Sequence, residues 1–272
     1  MQTEHMPKEN LLEQAGYFAV PGGYLYTVLH QVEDPVARAL LVGPFASERH
    51  NSYHPWVRWA RYLAARRIEV LRYDYRAIGE STGVFEEMTF DHWSEDVRLL
   101  ANWFKSRSPD CPFMLNGLEL GSLLASKTFQ AGTGDALLLW APPANANHAL
   151  RSTLMRWVNL EQLFKYGDER KPVAHYIRQL EEGSSLEVDG YQWSSRLWRD
   201  SFDLYLPLEM GDEDRAILEY KRPVRVVKLG KDAAPLTKGF IGYDEIRDLS
   251  WVYSCNFDWI ATALDIPTWR AC

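Results

Sequence analysis

The stretch FMLNGLELGSLLAS, Phe113–Ser126, decides how the rest of the chain is read. Phe113–Asn116 is a short apolar run after Asp110-Cys111-Pro112 and predicts the start of a buried strand, while Ser122–Lys127 predicts a helix. Between them stands Gly117-Leu118-Glu119-Leu120-Gly121. A strand that turns directly into a helix forces its central residue into strained backbone angles, and small residues two before and two after it relieve the crowding. The spacing therefore predicts a sharp strand-to-helix elbow with Glu119 at its apex, where the G-x-S-x-G form of this turn carries a serine.

Working outward, Glu13–Val20 and Tyr24–Gln31 flank Pro21-Gly22-Gly23, which predicts a hairpin. Val36–Val42 reads as a buried strand ending at Gly43-Pro44, followed by a loop over Phe45–Asn51. Pro55 suits the first turn of a helix, Pro55–Arg66, with Trp56, Trp59, Ala60 and Leu63 on one face. Ile68–Asp74 is the next strand, and Thr89 or Asp91 caps a helix over Trp93–Lys105. Ala136–Trp140 and Val224–Leu229 are further strands. The tail predicts one short strand, Phe240–Tyr243 or Trp251–Ser254, and a closing helix over Asp258–Leu264. Residues 144–218 are helical in period and lack long β-branched runs, as an inserted helical lid would. The predicted fold class is α/β: a core from 11–143 and 219–272, with a mostly parallel sheet covered by helices on both faces, antiparallel strands at one edge, and the lid between its two parts.

Composition bounds the partners. A net charge of −7 with no basic stripe argues against nucleic acid. No apolar run approaches the ~20 residues of a membrane span. The start, MQTEHMPKEN, has no apolar signal region, so a cytoplasmic setting is expected. Cys111, Cys255 and Cys272 have neither metal-site nor disulfide-framework spacing, and neither a metal nor a cofactor is expected.

Three motifs in order suggest a family. DYRAIGES at 74–81 resembles the D-x-R-G-x-G-x-S loop of α/β-hydrolases, with Ala77 in the first glycine position; GLELG resembles their nucleophile elbow; and Gly230-Lys231-Asp232 falls where their acid loop follows a late strand. The order is similar to that of the serine-aminopeptidase-like branch over roughly residues 25–235. GPFASERHNS and GLELGSLLA are further similar to hydrolase-like proteins associated with exosortase and exopolysaccharide systems. The resemblance implies the α/β-hydrolase fold and assigns Asp232 the acid position of a Ser-His-Asp triad. The departures from the pattern are that Glu119 stands for the serine, no histidine follows His175, and Pro44 has no N–H to offer an oxyanion.

Several side chains are candidates for chemistry. Gly79-Glu80-Ser81-Thr82-Gly83 also spells G-x-S-x-G, but Ser81 lies past a strand end, and a loop serine bonding local backbone is the favoured reading. Glu119 either caps its own turn, folding back onto the oxyanion site, or acts as a nucleophile or acid/base group. Asp232 either pairs with a base or faces Glu119 across a pocket. His50 and His54, near the loop after the third strand, and His148, at the start of the lid, could replace the missing base, or are solvated. Phe45, Leu118, Leu120 and His148 are the candidates to line a ligand site. Trp157, Tyr166, Tyr176, Trp193 and Trp198 are expected mostly to pack the lid. The expected function is a hydrolase-like protein with a degenerate triad that binds a small-molecule or acyl ligand, or a protein partner, beneath the lid. The alternative is a hydrolase of an ester, acyl or glycan-linked substrate rebuilt around Glu119 and Asp232, with His50 or His54.

Overall fold

The computed structural model describes residues 12–164, 166–227 and 249–267. Strands β1 (Leu12–Val20) and β2 (Gly23–Gln31) form the expected hairpin, tightly closed with Val20 opposite Gly23. Gly22, at φ +83°, takes the left-handed conformation the turn needs. Strand β3 (Ala37–Val42), helix α1 (Ala46–Ala64), strand β4 (Ile68–Tyr73), helix α2 (Phe90–Ser106), strand β5 (Phe113–Leu118), helix α3 (Gly121–Gln130) and strand β6 (Ala136–Trp140) then alternate. Thr89 caps α2 by accepting a hydrogen bond from the His92 N–H. The segment between β6 and the next sheet strand holds helices α4 (Ala146–Glu161), α5 (Val173–Glu181), α6 (Ser195–Asp200), α7 (Leu208–Gly211) and α8 (Glu213–Tyr220). It also holds a small hairpin, β7 (Leu186–Val188) with β8 (Tyr191–Trp193), which the helical periodicity of the segment did not anticipate. Strand β9 (Val224–Val227) returns to the sheet, and helix α9 (Ser250–Ala263) follows.

Among the described residues the main sheet runs β1-β2-β4-β3-β5-β6-β9. The β1–β2 and β2–β4 pairs are antiparallel; the pairs from β4 to β9 are parallel. Strand β3 pairs with β4 on one side and β5 on the other. Winding therefore reverses between β3 and β5, and such a switch point opens a crevice beyond the carboxyl ends of the strands. The elbow lies there. Two hydrophobic cores sandwich the sheet. One packs α1 and α9 through Trp56, Trp59, Leu63, Tyr253 and Phe257. The other packs α2, α3 and the 144–218 segment through Trp93, Phe104, Leu124, Leu154, Trp193 and Trp198.

Two sequence expectations change. Helix α1 begins at Ala46, so the expected loop over Phe45–Asn51 is helical from its second residue on, and Pro55 lies inside the helix. Proline removes one internal hydrogen bond there. The buried face of Trp56, Trp59, Ala60 and Leu63 is large enough to hold the helix together past it. In the tail, Trp251–Ser254 belongs to α9 and is not a strand, because Val252 and Tyr253 bury with Phe257 and Ile260 on a helical face. Phe240–Tyr243, the other candidate strand, lies outside the described residues.

Candidate functional site

The elbow forms as its glycines require. Glu119 sits at φ +52°, in the left-handed region. A Cβ on Gly117 would come within 2.4 Å of the Ser122 Cα, and one on Gly121 within 2.1 Å of the Gly43 carbonyl oxygen. Neither contact is tolerable, so both positions demand glycine. The strained apex is held on both sides: the Glu119 N–H donates to the Trp140 carbonyl of β6 at 2.8 Å, and the Ser122 N–H closes the turn by donating to the Glu119 carbonyl at 2.9 Å.

The Glu119 side chain folds back on its own turn. Its Oε2 accepts the N–H of Leu120, the first residue of the following helical turn. Burial pushes its carboxyl up to about 7 from the ordinary carboxylate range. The Leu120 N–H opposes that rise, the nearby Glu48 carboxylate adds to it, and Arg156 opposes it. Glu48 of α1 and Arg156 of α4 are ion-paired, which ties the start of α1 to the 144–218 segment beside the elbow. Sequence reasoning missed both. Glu48 lay inside the quoted GPFASERHNS stretch, but no charge pattern linked it to Arg156, and the two are 108 residues apart.

The other candidates scatter. Phe45 N-caps α1 and its ring packs against Trp93 at 5.1 Å and Phe85 at 5.8 Å. Leu120 joins the same core, whereas Leu118 faces the α1 and α9 side of the sheet. His50 and His54 lie exposed on α1, and His148 lies exposed on α4, its N–H donating to Asn145 Oδ1 at 2.7 Å. Among the described residues, no hydrogen bond or ion pair joins a histidine to Glu119. Asp232 lies outside the described residues. Ser81 is tied to backbone, donating to the Asp74 carbonyl at 2.6 Å and accepting from the Tyr26 N–H at 2.8 Å. Tyr176, Trp193 and Trp198 are buried and Trp157 partly so, whereas Tyr166 is exposed.

The fold, with its switch-point elbow and helices on both faces of the sheet, is similar to that of solved hydrolases over most of the chain. Est1E of Butyrivibrio proteoclasticus, solved with ferulic acid bound, is similar at TM-score 0.62 and 16% identity, over 92% of this chain and 100% of its own. GrgF, an alpha/beta hydrolase of Penicillium sp. sh18, gives TM-score 0.59 and 14% identity over 94% and 100%. Mouse alpha/beta hydrolase domain-containing protein 10 gives TM-score 0.55 and 15% identity over 92% and 99%. The chain has the α/β-hydrolase fold. No protein-family model matches the sequence, and no curated protein matches it. The Leu120 N–H follows the apex residue, the position from which serine hydrolases of this fold direct a backbone donor at a developing oxyanion. Here the Glu119 carboxylate takes it. No helix among the described residues is long and apolar enough to cross a membrane.

Proposed function

We propose that this chain is an α/β-hydrolase-fold protein without serine-ester turnover, and that it holds a small-molecule or acyl ligand, or a protein partner, beneath residues 144–218 acting as a lid. One observation carries the reading: the apex carboxylate of Glu119 accepts the backbone N–H that an ester hydrolase keeps for its oxyanion. A substrate carbonyl placed there would have to displace a carboxyl oxygen already bonded to the donor. The quoted motifs support placing the chain near the serine-aminopeptidase-like branch and the exosortase-associated hydrolase-like proteins. The Glu48–Arg156 pair supports the lid assignment, since it joins that segment to the core at the edge of the elbow.

A second reading makes Glu119 an acid/base group with Asp232, and the elevation of its carboxyl to about 7 favours it, because a general acid or base works best near the operating pH. Assay with p-nitrophenyl acetate and butyrate separates the two. The expected outcome is no steady turnover above that of Glu119→Ala. Sustained turnover that Glu119→Ala abolishes would reject the non-catalytic reading.

A further inference from the structure

The two edges of the sheet are finished differently. Among the described residues β9 is one edge; it is four residues long, carries Arg225, and its Val226 N–H donates to a Glu213 carboxylate oxygen at 2.9 Å. Strand β1 is the other edge. It runs for nine residues with no proline, lysine or arginine, and its register with β2 is unbroken by a bulge. Those are the devices that keep an open edge from pairing with another chain. The direction of its backbone groups follows from its neighbour. Tyr24 and Tyr26 of β2 turn away from β1: the Tyr26 N–H donates to Ser81 Oγ at 2.8 Å, and their carbonyls accept the N–H groups of Thr82 and Asp74 at 3.0 and 2.9 Å. Ala19 and Tyr17 stand directly opposite them. In an antiparallel ladder a facing pair either exchanges both its hydrogen bonds or turns both residues outward. By the same alternation Glu13, Ala15, Tyr17 and Ala19 all aim their N–H and C=O groups out of the sheet, where no hydrogen bond reaches them among the described residues. Aromatic rings flank this row. Tyr17, 61% exposed, lies on the α1 face beside Tyr26, and Phe18 lies on the α2 face against the exposed Trp103.

We propose that β1 pairs with β1 of a second copy of this chain, antiparallel about a two-fold axis through Gly16, so that the two sheets join edge to edge. Backbone, size and charge each fit a second copy. The outward residues Glu13, Ala15, Tyr17 and Ala19 are placed symmetrically about Gly16, so in this register every outward N–H meets a carbonyl of the copy. Tyr17 then stands opposite Ala15, a large side chain against a small one, and Leu12 stands opposite Val20. Nothing stands on the axis itself, since Gly16 has no side chain and a Cβ there would meet nothing within 4 Å. Glu13 is the only charged residue of the strand; it lies opposite Ala19 and is already held by Arg61 Nε at 2.5 Å. Pairing therefore brings no like charges face to face, a contact that would oppose it. The interface shares no residue with the elbow or with residues 144–218, so its test is independent of the preceding reading.

The test is sedimentation equilibrium of the full chain at about 50 µM, above a micromolar Kd. The mass should be twice the 31.5 kDa of one chain. Ala15→Pro removes an outward N–H and leaves the β2 ladder alone, so it should return the protein to a monomer with an unchanged far-UV spectrum. Gly16→Cys reads the register. Facing residues that exchange no hydrogen bonds lie about 4.5 Å apart at Cα, within disulfide reach. Oxidised glutathione should therefore convert Gly16→Cys to a covalent dimer. Gln14→Cys should not convert, because its two copies would lie about 14 Å apart along the paired strands. Both variants keep the native cysteines, so the difference between them is the readout. A monomer at this concentration overturns the proposal, as does a dimer that Ala15→Pro leaves intact. Cross-linking of Gly16→Cys no faster than that of Gln14→Cys also overturns it, and this comparison decides alone if Ala15→Pro does not fold.

Discussion

At the scale of the residue, Glu119 is a carboxyl group in conflict with its surroundings. Burial and Glu48 favour the protonated acid; the Leu120 N–H and Arg156 favour the anion. Burial wins, and the group is raised from 4.5 to about 7. In the unfolded chain it ionises near the lower value. Between those two pH values the folded protein holds a proton that the unfolded chain has released, so stability falls as pH rises through the window and is flat, for this group, above it. With allowance for the solvent still reaching the side chain, the loss is on the order of 2 kcal/mol. Glu119→Gln cannot titrate, so its Tm relative to the unaltered protein should climb steadily from pH 4.5 to 7 and then level. Parallel Tm–pH curves for the two proteins would show that the carboxylate is not held as described. The sequence announced where this charge would sit, because two glycines bracket it at fixed spacing. It could not announce the charge's value, which depends on Glu48 and Arg156, brought together only by the packing of α1 against α4.

At the scale of the element, the elbow was legible and the start of α1 was not. Glycines report backbone crowding directly. A Cβ at Gly121 meets the Val42 and Gly43 carbonyl oxygens at 2.2 and 2.1 Å. These are main-chain atoms of a central strand and cannot step aside as a side-chain tip would. Gly121→Ala should therefore destabilise the protein by about 2–4 kcal/mol, read as a lowered urea midpoint with an unchanged slope. A loss under about 0.5 kcal/mol would mean that α3 slides freely on β3. By contrast, Pro55 is a strong local signal that tertiary packing overrides, and α1 runs through it from Ala46. Local rules of this kind fail where a wide apolar face outweighs one lost hydrogen bond. Ala77 makes the same point from the other side. It takes φ +63° where the resembling loop has glycine, a conformation that costs about 1 kcal/mol in a residue bearing a Cβ.

At the scale of the whole molecule, the antiparallel hairpin at the sheet edge has to be fastened to a parallel core, and Arg76 does this. Its Nε donates to Asp96 Oδ2 of α2 at 3.0 Å and its Nη1 to the Pro21 carbonyl in the hairpin turn at 2.8 Å, while its own carbonyl accepts from Trp93 Nε1 at 3.0 Å. Asp96 is fully buried, and burial lifts its carboxyl above the ordinary value even against the pull of Arg76. Arg76 lay within the quoted DYRAIGES run, whereas no sequence motif marked Asp96 as its partner. An intact buried ion pair adds little net stability, because both charges have lost water, but removing one partner strands the other. Asp96→Ala should thus lower stability by about 3–5 kcal/mol. The damage should also be uneven. Amide exchange should accelerate first in β1, β2 and residues 74–83, which Arg76 joins to α2, while β5 and β6 in the centre keep their relative protection. Exchange that rises equally across the central strands would mean that Arg76 stabilises the molecule as a whole, without fastening one edge to it.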